Sequence, residues 1–362
     1  MKAHSSRLRA SILRWYDREK RDLPWRQTRD PYAIWISEIM LQQTRVDAVI
    51  PYYERFLARF PDIASLAVAR EPDVLAAWSG LGYYTRARHL RAGAQVLVRE
   101  HQARLPDDPA ALLRIPGIGA YTAGAIASVA FDRPAAAVDG NVIRVLARIE
   151  GLRGRRDDPK LRDAVTRTAH ALAHGPRPRD WTQALMELGA TLCRPRDPLC
   201  EHCPARALCV AHRGGTPDAY PEPARKPPTK PARRVLLLAR SARRLLLTRT
   251  PGARTGSGTT WTLPSADAAR NAAAAAKALA RDFGLAPAAI RGPVARFRHT
   301  TFAENVRFEV WETSAARPPR KIPGTKWVFP HSIQGLPVRS PTLKALRKLQ
   351  DADRSPTRRG SC

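Results

Sequence analysis

Apolar residues recur along the N-terminal part of the chain at helical spacing. Leu8, Ile12, Leu13 and Tyr16 fall on one face of a helix expected over 5–20, the rhythm by which an amphipathic helix buries one stripe. Leu23 to Arg26, LPWR, breaks that rhythm. A second helix is expected after Pro31, with Trp35, Ile39 and Met40 as its apolar stripe. Beside them Glu38, Gln42 and Arg45 follow at i, i+4 and i+7 as a polar stripe. Thr44 followed by Asp47 resembles a capping box, which would start a new helix there. Gln43 would then sit at the junction and project outward, and Pro51 should kink the new helix. Further helical patterns cover 71–79, 85–100, 119–131, 140–150, 157–174 and 179–192, with no strand between them. This part reads as all-α.

The pattern changes after Cys209. Pro217, Pro221, Pro223, Pro227, Pro228 and Pro231 favour an extended linker over 214–232. Beyond it, the short apolar runs Val235–Ala239 and Leu245–Thr248 flank a basic turn and predict a hairpin. Asn271–Asp282 reads as an alanine-rich helix, Val306–Thr313 alternates like a half-buried strand, and Lys326–Phe329 suggests another. The expected organisation is an all-α domain over 1–213, the linker, a smaller α+β domain over 233–350, and a polar basic tail over 351–362, expected to be disordered.

Charge narrows the partner. The chain of 362 residues carries 62 Lys+Arg against 32 Asp+Glu, a formal +30, which suits a polyanion such as nucleic acid. Arg greatly outnumbers Lys, so base composition can account for part of this excess, but the acidic residues have not risen to match. Four of the five cysteines are clustered, unlike a secreted disulfide framework. The N-terminal segment lacks the apolar core of a signal peptide, and no apolar run is long enough to span a membrane. A soluble, cytoplasmic, nucleoid-associated monomer is expected.

Three features carry candidate chemistry. Pro116-Gly117-Ile118-Gly119 is a glycine-rich turn between two helical patterns. Two glycines can take φ > 0 and leave the backbone bare, and the start of the next helix favours an anion such as a phosphate. The same turn also serves as a plain connection between packed helices. Cys193, Cys200, Cys203 and Cys209 are spaced C-x6-C-x2-C-x5-C; four cysteines so close hold zinc or an iron–sulfur cubane rather than a core. Arg194, Arg196 and Arg206 among them can balance the negative charge of such a site or meet phosphate. Cys362 has no assigned role. The third feature is a pair of carboxyls. Glu38 beside Ile34, Trp35 and Ile39 should be buried and held protonated. Asp139 is placed to cap the helix bearing Val142, Val145, Leu146 and Ile149, where the helix N-terminus should lower its pKa. One acid and one ionised carboxylate is the pair that glycosidic bond cleavage uses. A simple N-cap and a surface ion pair are the plain alternatives.

With PGIG, Asp139 and the cysteine spacing in that order, the N-terminal part resembles a helix-hairpin-helix DNA glycosylase of the endonuclease III superfamily. WISEIMLQQT (Trp35 to Thr44), GLGYYTRAR (Gly80 to Arg88), PGIGAYTAGAI (Pro116 to Ile126) and VDGNVIRVLAR (Val138 to Arg148) are similar to the MutY family of adenine DNA glycosylases. The resemblance is dense over about 8–212 and thin beyond. It implies a [4Fe–4S] cluster on Cys193, Cys200, Cys203 and Cys209. It also implies excision of adenine mispaired with 8-oxoguanine or guanine in double-stranded DNA, in base excision repair. Glu38 would protonate adenine N7 and then activate water, Asp139 would stabilise the sugar cation, Asn141 would orient Asp139, and Tyr121 would line the site. Gln43 and Tyr83 would wedge into the duplex, with Gly117, Gly119 and Arg194 at the DNA backbone. Relatives with lyase activity carry a lysine at the position of Tyr121, and no lysine occurs between Lys20 and Lys160, so a monofunctional enzyme is expected.

Residues 233–345 resemble, more thinly, the Nudix-like recognition domain of the same family, through LLLTRTP (Leu245 to Pro251) and WTLP (Trp261 to Pro264). Between Ser265 and Ile290 the only acids are Asp267 and Asp282, too few for the Mg²⁺ site of a pyrophosphatase. The family's Phe-Ser-His tip for reading 8-oxoguanine is replaced by Thr301-Phe302-Ala303 within His299–Glu304. That change implies weakened discrimination between 8-oxoguanine:A and G:A. Two other functions compete: a glycosylase for T or U opposite G, since a tyrosine at the place of Tyr121 also occurs in relatives of that kind, and a non-catalytic iron–sulfur DNA-binding protein.

Overall fold

The computed structural model describes residues 2–223, 229–250, 260–268, 271–300, 304–319 and 322–354. Its helices are α1 (Lys2–Glu19), α2 (Pro31–Leu41), α3 (Val46–Arg59), α4 (Ile63–Val68), α5 (Glu71–Ala77), α6 (Thr85–His101), α7 (Pro109–Leu112), α8 (Ala120–Phe131), α9 (Gly140–Glu150), α10 (Pro159–Ala173), α11 (Pro178–Thr191), α12 (Val210–Arg213), α13 (Ala272–Asp282) and α14 (Ser340–Arg354). Proximity divides the chain into two units: Met1–Ala69 with His89–Lys226, and Arg70–Arg88 with Pro227–Cys362.

The first unit is all-α. Leu8, Ile12 and Tyr16 of α1 pack with Val145 and Leu146 of α9, Val165 of α10 and Trp181 and Leu188 of α11. Helix α2 differs from these amphipathic helices, because Tyr32 through Met40 are all buried. A helix apolar on nearly every side belongs in the centre of a bundle, and Asp30 fixes its start by accepting from the N–H groups of Tyr32 and Ala33. The expected Thr44–Asp47 capping box is not formed. Helix α3 begins at Val46 with Arg45 at the N-cap and no side-chain cap, and the Thr44 hydroxyl donates to the Gln42 carbonyl at 3.3 Å.

In the second unit, seven strands form one mixed sheet among the described residues: β1 (Lys230–Ser241), β2 (Arg244–Thr250), β3 (Thr260–Thr262), β4 (Ser265–Asp267), β5 (Arg291–Thr300), β6 (Glu304–Ser314) and β7 (Thr325–Val328). The order is β3-β2-β1-β6-β5, with β4 on β1 and β7 on β2. Strands β1 and β6 are parallel and the other pairs antiparallel. Period-two alternation sends Leu236, Leu238, Phe308 and Val310 to one face with Ala345 of α14, and Val235, Leu237 and Ala239 to the other with Ala276 and Leu279 of α13. The expected hairpin is β1–β2. Strand β1 starts at Lys230, inside the stretch read as linker, and α14 runs to Arg354, past the expected start of a disordered tail. Thr301, Phe302, Ala303, Pro251 and Cys362 lie outside the described residues. Among the described residues no helix is long and apolar enough to cross a membrane.

Candidate active site

Glu38 occupies the middle of the buried helix α2, with 6% of its surface exposed. Helix α8 packs beside α2 because its own face is made of small residues. On α8, Gly124 has the Ala136 carbonyl oxygen 2.0 Å from where a Cβ would stand, so only glycine lets the segment leading to Asp139 pass that close to the helix. The packing delivers Tyr121, whose hydroxyl donates to Glu38 Oε2 at 2.7 Å. Burial pushes the Glu38 carboxyl up to about 7; the Tyr121 bond opposes this and the nearby Asp139 carboxyl adds to it. A carboxylic acid poised near neutrality is what proton donation requires.

Asp139 caps α9, with Oδ1 accepting from the Val142 N–H at 2.7 Å. Asn141 donates to Asp139 Oδ2 at 3.1 Å. The Asn141 carbonyl in turn accepts from Arg144 at 2.8 Å, and Arg144 also donates to the carbonyls of Gly189 and Cys193, each at 2.8 Å. Gly189 permits this approach, since a Cβ there would lie 2.6 Å from that of Asn141. The expected lowering of the Asp139 pKa is not observed. Burial raises it, and the opposing bonds from the Val142 and Asn141 backbone, Arg144 and the Asn141 side chain do not overcome that effect. A helix terminus favours the anion only while water or a counter-charge shares the load, and the partial burial of Asp139 in the cleft reduces the share that water can take.

Glu38, Tyr121, Asp139, Asn141 and Gln43 all line one cleft of about 510 Å³, within the usual range of small-molecule sites. Its far wall holds residues that the sequence reading did not single out: Arg21, Arg26, Gln183, Met186 and Glu187. Burial works against ionisation of Glu187, yet Arg21 (2.7 and 2.8 Å) and Arg26 (2.7 Å) bring its pKa down to about 2. Leu23 to Arg26, noted only as a helix break, is the segment that carries Arg26 there. Nothing in the spacing of Arg144 distinguishes it in sequence from a surface arginine.

The expected DNA contacts are distributed over the chain. Gln43 is exposed between α2 and α3 with φ 57°. In the PGIG turn only Gly117 takes positive φ (84°), and its Cβ would meet His89 Cβ at 2.6 Å. Gly119 is the extended N-cap of α8 (φ −93°), contrary to the expectation for both glycines, and nothing stands within 4 Å of its missing side chain. Gly117 is therefore glycine for reasons internal to the fold, whereas Gly119 leaves open backbone at a helix start. Arg194 is exposed and donates to the Asp197 carbonyl at 2.8 Å. Tyr83 belongs to the second unit, where it is 62% exposed with φ 49° and Arg86 lies over its ring.

Cys193, Cys200, Cys203 and Cys209 are unbridged and line one pocket. Burial raises the thiols of Cys200, Cys203 (to about 12) and Cys209. Among the described residues no three His, Cys, Asp or Glu side chains stand in metal-binding geometry. The donor set nonetheless suits a soft cation or cluster. It offers four sulfurs, with Arg148 donating to Cys193 Sγ at 3.4 Å and to the Arg194 carbonyl at 2.6 Å.

A family model for the HhH-GPD superfamily of base excision DNA repair proteins matches residues 36–169. Adenine DNA glycosylase of Rattus norvegicus is 47% identical over 214 residues, which are 57% of this chain and 42% of the rat protein. Adenine DNA glycosylase of Buchnera aphidicola subsp. Acyrthosiphon pisum (strain APS) is 37% identical over 211 residues, 58% of this chain and 60% of the other. The chain thus spans less than half the length of the rat relative. The solved structure of a thermostable thymine-DNA glycosylase is 30% identical and covers 59% of this chain and 98% of its own, with a TM-score of 0.54. The family match contains Glu38, the PGIG turn, Tyr121 and Asp139, so residues 36–169 carry a domain that matches the HhH-GPD superfamily and is similar to the corresponding part of the adenine DNA glycosylases.

Proposed function

We propose that this chain is a monofunctional DNA glycosylase that excises adenine mispaired with 8-oxoguanine or guanine in double-stranded DNA. The observation that carries the reading is the unequal pair of carboxyls in one cleft. Glu38 holds its proton to about 7, and Asp139 collects three donors on its two oxygens, the Val142 and Asn141 N–H groups and the Asn141 carboxamide. Asp139 is therefore the better seat for negative charge and Glu38 for the proton. The target base leaves the stack and enters the cleft. Glu38, oriented by Tyr121, protonates the leaving adenine at N7. Asp139, held by Asn141, stabilises the oxocarbenium-like sugar, and Glu38, now a carboxylate, activates water. No lysine stands at Tyr121, so no Schiff base forms there.

Gln43 and Tyr83 act as duplex wedges in this reading, and Gly117, Gly119 and Arg194 meet the backbone. Cys193, Cys200, Cys203 and Cys209 would hold a [4Fe–4S] cluster, their thiolates supplying its protein ligands and so tying the loop together. Residues 233–350 serve as a Nudix-like recognition domain without pyrophosphatase activity. The protein acts as a monomer on nucleoid DNA.

The test is incubation with duplexes carrying A, T or U opposite G, 8-oxoguanine or C, followed by alkali. Breaks confined to A opposite G or 8-oxoguanine are expected. The likeness to a thymine-DNA glycosylase structure favours a second reading, excision of T or U opposite G, which breaks at those bases would establish. Duplex binding without any abasic product would instead mark a non-catalytic iron–sulfur DNA-binding protein.

A further inference from the structure

The sheet of the second unit carries a charge pattern that none of these roles uses. Arg298 of β5 stands opposite Arg307 of β6, which stands opposite Arg233 of β1. The three are in register across adjacent strands and share one face. One pleat further along, that face carries Arg296, Glu309 and Val235, and then Leu237 and Trp311, where α13 covers it. The face is thus half covered and half open, and all three arginines of the open half are exposed.

Neighbouring arginines are neutralised. Arg234 pairs with Asp267 at 3.0 Å and Glu304 at 2.9 Å, and Arg296 lies 3.7 Å from Glu309. Among the described residues Arg233, Arg298 and Arg307 form no ion pair. They line a pocket of about 400 Å³ that also touches Phe297 and Phe308. Like charges directly opposite each other destabilise a sheet, and here two such pairs share Arg307. An anion bridging the rungs relieves that repulsion. Guanidinium forks match phosphate oxygens in pairs, and three strands spaced about 4.8 Å apart set the forks over roughly 10 Å. A chain of phosphates engages the whole ladder, whereas one nucleotide engages only an end of it.

We propose that the Arg233–Arg307–Arg298 ladder binds the phosphodiester backbone of a nucleic acid. This rests on the reading of nucleic acid as the partner and not on the glycosylase chemistry. The test titrates the full chain with a fluorescent, fully matched duplex at several salt concentrations. It compares wild type with Arg307→Gln, with Arg233→Gln/Arg298→Gln/Arg307→Gln, and with Arg281→Gln on α13 as a charge-matched control. Each ladder substitution should weaken binding about fivefold at 0.15 M salt and lower the salt slope by about one. Arg281→Gln should change neither. Without DNA, the Tm of Arg307→Gln should equal or exceed that of wild type; a fall would make the ladder structural and overturn the proposal.

Wild-type affinity in the triple variant overturns it as well. So does displacement of duplex by micromolar ATP from wild type but not from the triple variant, which would make the ladder a free-nucleotide site. Excision measured in parallel separates the two readings. An inert ladder with intact excision sinks only this proposal, and a working ladder without excision sinks only the glycosylase.

Discussion

Replacing Glu38 with Gln should destroy base excision and at the same time stabilise the helical unit at neutral pH and above. The native carboxyl keeps its proton to about 7, while in the unfolded chain it ionises near 4.5. Between these values the native state binds more protons than the unfolded state, so stability falls as pH rises through this window and levels off above about 7. The span from 4.5 to about 7, at 1.36 kcal/mol per pH unit, is about 3 kcal/mol. Gln keeps an oxygen for the Tyr121 hydroxyl and carries no charge, so the variant escapes this penalty. Thermal unfolding of wild type and Glu38→Gln, matched in iron content, should give equal Tm near pH 4.5. At pH 8 the variant should be about 6–12 °C higher, since 1 kcal/mol is about 2–4 °C for a unit of this size. Duplex affinity should be unchanged. Single-turnover excision by wild type should fall about tenfold per pH unit above 7, as the acid loses its proton. Equal Tm values at pH 8 would refute the burial argument, and wild-type-like excision by the variant would remove Glu38 from the chemistry.

Four further outcomes are expected. The purified protein should be yellow-brown with about four irons per chain; a colourless protein with stoichiometric zinc would contradict the cluster assignment. Gly117→Ala should lower Tm, because φ is 84° and His89 Cβ lies 2.6 Å from the new methyl, whereas Gly119→Ala should leave Tm unchanged and weaken duplex binding. Borohydride should trap no DNA adduct, since Tyr121 cannot form a Schiff base, and efficient trapping would point to an amine elsewhere in the chain. Replacement of the Phe-Ser-His tip by Thr301-Phe302-Ala303 should reduce the preference for 8-oxoguanine:A over G:A by roughly ten- to a hundredfold, the loss of one or two good hydrogen bonds. Single-turnover rates for the full chain and for residues 1–224 test this, and a large preference that collapses on truncation would show that the second domain reads the lesion after all.

Much of the helical unit was legible because its signals are local. The apolar stripes of α1, α9, α10 and α11 lie in the sequence at helical spacing, and the observed helices follow them to within a few residues. Elements without a stripe were missed. Helices α4 and α7 span six and four residues, too short for periodicity to register. Strand β5 leaves five of its ten residues exposed and buries only Phe297 among RGPVARFRHT, so its alternation is invisible until β6 is laid beside it. Helix α14 was hidden because its polar C-terminal turn reads as a tail, while Leu343, Leu346 and Leu349 dock on a sheet face that no local pattern announces.

The candidate site divides along the same line. Glu38 and Asp139 are visible in sequence because one lies in an apolar helix and the other precedes one, both local facts. What those positions do to protons is not local. The cap at Asp139 argues for a lowered pKa, and the bonds that favour the anion are present, yet burial in a cleft lined by residues from distant parts of the chain reverses the net direction. Arg144 shows the same dependence from the other side. It resembles any helical arginine until α11 and the loop after it bring the carbonyls of Gly189 and Cys193 to 2.8 Å from it, beside Asn141 on its own helix. Once there, it ties the residue that holds Asp139 to the first residue of the cysteine loop. Arg144→Gln would take this donor from the buried Gly189 carbonyl, at roughly 1–3 kcal/mol, and from the half-buried Cys193 carbonyl. Asn141 would lose the partner that fixes its carboxamide. The cost should therefore be seen in excision as well as in stability. Arg148→Gln strips the same loop of other bonds without touching Asn141. If the two variants lose excision only in proportion to their lost Tm, Arg144 is merely structural; a further drop for Arg144→Gln alone marks it as the residue that positions Asn141.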